Sequence, residues 1–377
     1  MPVALLDELD STWFASLRRS LVRWYEKHGR DLPWRRTRDP YHIWISEIML
    51  QQTTVAAVIP YFERFLDRFP TVHELAAADE QEVLRLWEGL GYYSRARNIH
   101  KAAKLITGEF NGQFPTDAES LNHLPGIGRY TAGAIASFAF DTAAPIVEAN
   151  TLRLYCRLLG FDGDPRAKAG QDLLWSFAER VLPRKSPGRM NQALMELGGT
   201  LCSVKQPSCN DCPVRKNCRA FADQTTNRIP QPKQRPKVTQ LTHANLIVRK
   251  AGKVLIRQHT ADERWAGLWD FPRYELSATL CAKLPLTFTK PDLFGDIVTI
   301  HEALQVELVE QTKIDAKVTA FATELSHTVT RYRIRLLCFE AEYEAGRLRG
   351  DGTKWVRPSD LSEYPLTMTA RKMARFA

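Results

Sequence analysis

The stretch from Leu121 to Asn150, LNHLPGIGRYTAGAIASFAFDTAAPIVEAN, constrains the fold more than any other. It reads as a short helix, a glycine-rich hairpin at Pro125-Gly126-Ile127-Gly128, a second helix and an acidic turn at Glu148. Thr116 and Glu119 stand at capping-box spacing, so Thr116 is expected to cap the first helix. Gly126 and Gly128 can take backbone angles that other residues avoid, and no side chain shields their N–H groups. The start of the second helix is therefore a candidate anion site, with phosphate the obvious anion. A helix–turn–helix without any ligand fits the G-x-G pattern alone equally well.

The 377 residues allow one to three domains. A formal charge of +9 is moderate basicity, compatible with a polyanionic partner. The opening residues lack a charged-then-apolar leader pattern, and no apolar run approaches the roughly 18 residues of a membrane span. A cytoplasmic location is expected. Residues 1–222 are helical in pattern, with Trp13, Phe14, Leu17, Leu21 and Trp24 at helical spacing and another helix expected over Tyr41–Ile59. Residues 223–240 hold three prolines and four basic residues with little apolar content, and read as a linker. Beyond it, residues 241–377 change to short β-rich runs such as Leu246-Ile247-Val248 and Tyr332–Phe339, with a helical run around Ile300–Gln311. That pattern defines a second domain of α+β type.

Seven cysteines, four of them crowded into 202–218, point to metal ligation rather than a disulfide framework. Cys202-x6-Cys209-x2-Cys212-x5-Cys218 can enclose either one tetrahedral zinc or a cubane iron–sulfur cluster. Two carboxylates also stand out. On a helix, Glu47 has Ile43, Trp44, Leu50 and Gln51 as i±3 and i±4 neighbours, surroundings that disfavour its ionised form and suit a general acid. With Asn150 read as the cap of a helix over Thr151–Leu159, Glu148 lies just before a helix N-terminus and is expected to stay ionised. One carboxyl pushed up and one held down is an arrangement that cleaves glycosidic bonds.

Taken together, the cysteine spacing, the LPGIG hairpin and the acidic turn resemble the helix–hairpin–helix DNA glycosylases that carry a 4Fe–4S cluster. Within that superfamily, RDLPWR (Arg30–Arg35), WISEIMLQQT (Trp44–Thr53), WEGLGYYSRARN (Trp87–Asn98) and MNQALMELGGTLC (Met190–Cys202) look like the MutY-type adenine glycosylases. RWAGLWDFPRYEL (Arg264–Leu276) is similar to that family's Nudix-like domain. The resemblance covers nearly the whole chain. It implies a multidomain fold: an all-α glycosylase domain with its helix–hairpin–helix at about 116–140 and its cluster loop at 202–218, plus an α+β Nudix-like domain.

The resemblance implies more, residue by residue. Glu47 would protonate the departing adenine, and Glu148 would stabilise the cationic sugar, although the family's second acid is typically Asp and Glu is one methylene longer. Tyr130 stands where bifunctional relatives carry a Schiff-base lysine, so the enzyme is expected to be monofunctional, with Tyr130 and Asn150 lining the sugar. Arg30, Leu32, Trp34 and Arg35 would border the adenine, while Gln52, Leu90 and Tyr92 probe and wedge the duplex. Arg95, Arg97, Lys101 and Lys104 suggest a basic face. The helix HEALQVELVEQTKI keeps Glu307 and Glu310 but lacks the carboxylate density of an active Nudix box. Aligned on His327-Thr328, the turn that senses 8-oxoguanine falls on Val329-Thr330-Arg331. The four cysteines would hold the 4Fe–4S cluster, with zinc the lesser option. The partner would be double-stranded DNA with A opposite 8-oxoguanine or G, met by a monomer. A thymine or uracil mismatch glycosylase of the same fold, or a lesion-binding protein without activity, are the alternatives.

Overall fold

The computed structural model describes residues 4–232, 237–282, 296–349 and 352–377. They form two compact units: residues up to Ala78 together with Arg97–Gln234, and Asp79–Ala96 together with Arg235–Ala377.

The first unit is helical. In α1 (Ser11–His28), Asp10 accepts from the Trp13 N–H at 2.7 Å, and Phe14, Leu17 and Leu21 are buried along one face. The expected helix over 41–59 is instead two helices, α2 (Pro40–Leu50) and α3 (Val55–Arg68). The break has a local cause. Gln52 takes a left-handed φ of +59°, and Thr54 caps the second piece. Eight residues of α2 are buried, on all sides, as befits a central helix.

The hairpin follows α4 (Ala118–Asn122), whose cap is Asp117 and not Thr116: the Asp117 carboxylate accepts from the Ser120 N–H at 2.8 Å. Gly126 has φ +78°, and a Cβ there would stand 2.7 Å from that of Asn98, so only glycine fits. Gly128 then caps α5 (Arg129–Phe140) without any side-chain hydrogen bond. Next come α6 (Ala149–Leu159), α7 (Lys168–Val181) and α8 (Pro187–Gly199). Leu17 and Leu21 of α1, Leu154 and Leu158 of α6, Phe177 of α7 and Leu194 of α8 meet in one core. Burial of each such side chain contributes roughly 1.5–3 kcal/mol. The start of the expected linker belongs to this core as well. Ile229 is buried in it, and its carbonyl accepts from Arg157 Nε at 2.9 Å. Residues 233–236 of that stretch lie outside the described residues.

The second unit is built on a seven-stranded sheet comprising β1 (Thr239–Lys250), β2 (Lys253–Gln258), β3 (Trp269–Asp270), β4 (Arg273–Glu275), β5 (Ile314–Val329), β6 (Tyr332–Gly346) and β7 (Thr353–Val356). The main path runs β3-β2-β1-β6-β5, with β1 parallel to β6 and β5 antiparallel to it. Alternate β1 residues serve opposite faces. Leu246 and Val248 pack with Ile300, Leu304 and Leu308 of α9 (Asp296–Thr312), whereas Ile247 packs with Leu361, Leu366 and Met373. Burial of both faces explains why these strands read as apolar runs rather than alternations. Within the same unit, Trp269 Nε1 donates to Gln81 Oε1 at 2.9 Å, and Arg371 forms a bidentate pair with Glu88. Among the described residues no helix is long and apolar enough to cross a membrane.

Candidate active site

A cavity of about 620 Å³ opens in the first unit. Its lining includes Glu47, Tyr130, Glu148 and Asn150, the whole Arg30, Leu32, Trp34, Arg35 set, Gln52 and Gly128. Its size is that of a pocket for a small organic group.

Glu47 sits on α2 and is buried. Tyr130, in the first turn of α5, donates its hydroxyl to Glu47 Oε2 at 2.6 Å. Burial pushes the Glu47 carboxyl up to about 7; the Tyr130 hydrogen bond opposes the shift and the nearby charge of Glu148 adds to it. Tyr130 itself is held well above its ordinary value, first by burial and then by the two carboxylates, so it remains a neutral donor.

The acidic turn differs from the expectation in two ways. The cap of α6 is Glu148 rather than Asn150: its two carboxylate oxygens accept from the N–H groups of Asn150 at 2.8 Å and Thr151 at 2.9 Å, and its own N–H donates to Thr151 Oγ1. Its pKa is also raised rather than held down, because burial outweighs those two hydrogen bonds and the charge of Arg153. Glu148 is still the better-stabilised anion of the pair, since two backbone dipoles and a helix N-terminus face it whereas one phenol faces Glu47. Asn150 is held by Arg153, whose Nη2 donates to Asn150 Oδ1 at 2.9 Å.

Sequence reading missed Glu196. This carboxylate on α8 is fully buried and takes a bidentate pair from Arg30, at 2.6 and 3.0 Å, and a second ion pair from Arg35 at 2.8 Å. Burial alone would raise its pKa, but the Arg30 hydrogen bond and the Arg35 charge hold it below its ordinary value. The signal was present. Glu196 follows Ala193 and Leu194 and precedes Leu197, the same apolar setting that singled out Glu47.

The other expected contact residues are spread more widely. Gly128 leaves the first N–H groups of α5 without a side-chain cap, beside the cavity. Gln52, Tyr92 and Thr330 share left-handed backbone angles, with φ of +59°, +48° and +53°. Such angles cost roughly 1–2 kcal/mol for these residue types; at Thr330 the angle is that of a two-residue hairpin turn. In the second unit Leu90 is buried and Tyr92 is exposed. Arg95 is not on a solvated face: it is buried, stacks on Trp87 at 5.3 Å and donates to the carbonyls of Leu90 and Gly91. Thr330 and Arg331 form the two-residue turn between β5 and β6, closed by the Val329–Tyr332 pair.

Cys202, Cys209, Cys212 and Cys218 are free thiols that line one small cavity in the first unit. Arg157 Nη1 donates to Cys202 Sγ at 3.3 Å, a contact suited to a charged sulfur. Among the described residues no three His, Cys, Asp or Glu converge tightly enough to hold a single ion. An all-sulfur donor set of this kind suits one tetrahedral zinc and an iron–sulfur cluster alike.

Residues 45–180 match the HhH-GPD superfamily of base excision DNA repair proteins, and residues 243–375 match the NUDIX domain family. A solved thermostable thymine-DNA glycosylase aligns with 57% of this chain and 100% of its own, at 27% identity and a TM-score of 0.52. The fold and the paired-carboxylate cavity thus define a helix–hairpin–helix base-excision repair protein with an appended Nudix-like domain. The adenine DNA glycosylase of Buchnera aphidicola (subspecies Schizaphis graminum) is 38% identical over 256 residues, covering 68% of this chain and 74% of that protein. The rat adenine DNA glycosylase is 45% identical over 214 residues, covering 54% of this chain but only 42% of the rat protein. The chain belongs to the adenine DNA glycosylase family.

Proposed function

We propose that this chain hydrolyses the N-glycosidic bond of adenine mispaired with 8-oxoguanine or guanine in double-stranded DNA, leaving an abasic site. The observation that carries the reading is the buried Glu47, accepting from Tyr130 in a cavity shared with the helix-capping carboxylate Glu148. Glu47 donates its proton to a ring nitrogen of adenine as the bond from C1′ breaks and the electron pair leaves with the base. Glu148 stabilises the oxocarbenium-like sugar, and water adds to C1′, giving up a proton to the now-ionised Glu47 carboxylate. Tyr130 and Asn150 position the sugar. Arg30, Leu32, Trp34 and Arg35 border the base, with Glu196 fixing both arginines. The described cavity lining contains no lysine, so no amine is available there for a Schiff base, which supports a monofunctional enzyme.

Cys202, Cys209, Cys212 and Cys218 would hold a 4Fe–4S cluster, which when bound cross-links the 202–218 loop. The N–H groups at Gly126 and Gly128 would take a backbone phosphate, Gln52, Leu90 and Tyr92 would contact the opened duplex, and the Thr330-Arg331 turn would contact the DNA with Thr330 toward the opposite base. The protein acts as a monomer wherever the DNA is. Single-turnover assays on duplexes with A opposite 8-oxoguanine, G, C or T test the reading. Release from the first two only, abolished in Glu47→Gln, is expected; release of thymine from a mismatch, or no release at all, overturns it.

A further inference from the structure

Beside the Thr330-Arg331 turn, a second feature of the β-rich unit is organised around one ring. The Arg264 guanidinium lies over Tyr332 at 4.2 Å from its centroid, and Arg331 stands 5.1 Å from the same centroid. Arg331 Nη2 also donates to the Tyr332 hydroxyl at 3.0 Å, and that hydrogen bond, with the charge of both arginines, holds the phenol below its ordinary value. Both arginines are exposed, and among the described residues neither forms an ion pair. The acids next to Arg264 are engaged elsewhere: Asp262 accepts from Thr260, and Glu263 accepts from Arg257 and pairs with His259.

The platform stands on a rigid base. Trp265, adjacent to Arg264, packs on the buried Arg273 guanidinium at 4.0 Å. Arg273 is fixed through its other edges, donating to His243 Nδ1 at 3.0 Å and Thr369 Oγ1 at 3.2 Å, lying 3.3 Å from His327 Nε2, and pairing with the buried Asp270. Two like charges held against one ring, unneutralised and preorganised, are suited to a polyanion whose charges repeat at short intervals.

We propose that Arg264 and Tyr332, with Arg331, form a phosphate-binding platform for duplex DNA, in which Tyr332 sets the spacing of the two guanidiniums. The inference rests on the DNA-repair reading above but not on its chemistry. Binding of labelled duplexes, one with A opposite 8-oxoguanine and one fully paired, is measured across a salt series. Arg264→Gln and Arg331→Gln should each weaken both duplexes alike and reduce the slope of log affinity against log salt by about 0.9, with the double variant losing about twice that. Arg264→Lys should retain the wild-type slope, which a folding defect would not reproduce. Tyr332→Leu should lose affinity for both duplexes and Tyr332→Phe much less. Wild-type slopes in both Gln variants, or a loss confined to the 8-oxoguanine duplex, overturn the platform. If wild type shows these slopes but releases no adenine, the platform stands and the glycosylase reading falls. Adenine release with unchanged slopes does the reverse.

Discussion

Glu47 is placed where burial and a neighbouring carboxylate both favour its neutral form, and that has consequences for stability as well as chemistry. With a folded-state pKa of about 7 against an ordinary 4.5, the native chain keeps a proton that the unfolded chain has lost between those values. The stabilisation is therefore full below pH ~4.5 and disappears as pH rises through ~7, a swing on the order of 3 kcal/mol. Glu47→Gln should remove that dependence and be more stable than wild type at pH 8; urea unfolding at pH 5 and 8 checks this, and equal pH slopes would contradict it. Tyr130→Phe deletes the hydrogen bond that holds the Glu47 pKa down, so the midpoint of its pH–rate profile should move up by roughly 1 unit. Both carboxylates were legible from apolar spacing and helix-cap logic. Glu196 shows the same apolar spacing, but its role was not legible, because that depends on Arg30 and Arg35, which lie more than 160 residues away in the chain. The direction of the Glu148 shift was misjudged for a related reason: sequence shows the helix N-terminus but not the depth of burial around it.

At the scale of elements, α6 carries the site's geometry through its N-terminal end. Its cap is Glu148, its second residue is Asn150, and Arg153 one turn on donates to Asn150 Oδ1, to the Gly198 carbonyl and to the Cys202 carbonyl. Gly198 of α8 packs directly on this turn, where an added Cβ would lie 2.8 Å from the Asn150 carbonyl oxygen and 3.0 Å from its Cβ. Gly198→Ala should therefore displace Asn150, lowering stability by about 1–3 kcal/mol and single-turnover cleavage on the order of 10²-fold. A wild-type rate in that variant would show that the turn relaxes freely. The hairpin and the capping signals were readable because glycine and short polar residues act locally. The interruption at 51–54 was not, since the run over 41–59 keeps its apolar spacing while Gln52 reverses its backbone.

The whole molecule divides where sequence alone drew no line. Asp79–Ala96 groups with the β-rich unit through side chains such as Gln81 and Glu88, whose partners Trp269 and Arg371 lie far along the chain. The residues at the start of the expected linker instead join the helical core through Ile229. Composition reports the polarity of a segment but not the partner that one buried isoleucine finds. Next to that same stretch of chain, Arg157 joins Cys202 of the 202–218 loop to the Ile229 carbonyl. Cys209→Ser should lose iron and acid-labile sulfide, increase proteolysis within 202–218 and weaken duplex binding; retained affinity in cluster-free protein would contradict a structural role for the cluster. The proposed cleavage turns on Glu47 delivering a proton near neutrality. The most direct measurement is the single-turnover rate of adenine release from an A opposite 8-oxoguanine duplex, followed from pH 5 to 9 in wild type and Glu47→Gln. A rate that declines through a midpoint near 7 in wild type, with a pH-independent rate in Glu47→Gln that lies about 10² or more below wild type at pH 5 and converges toward it at high pH, is the expected result. A wild-type rate that is flat or rises with pH, or an active Glu47→Gln, would contradict it.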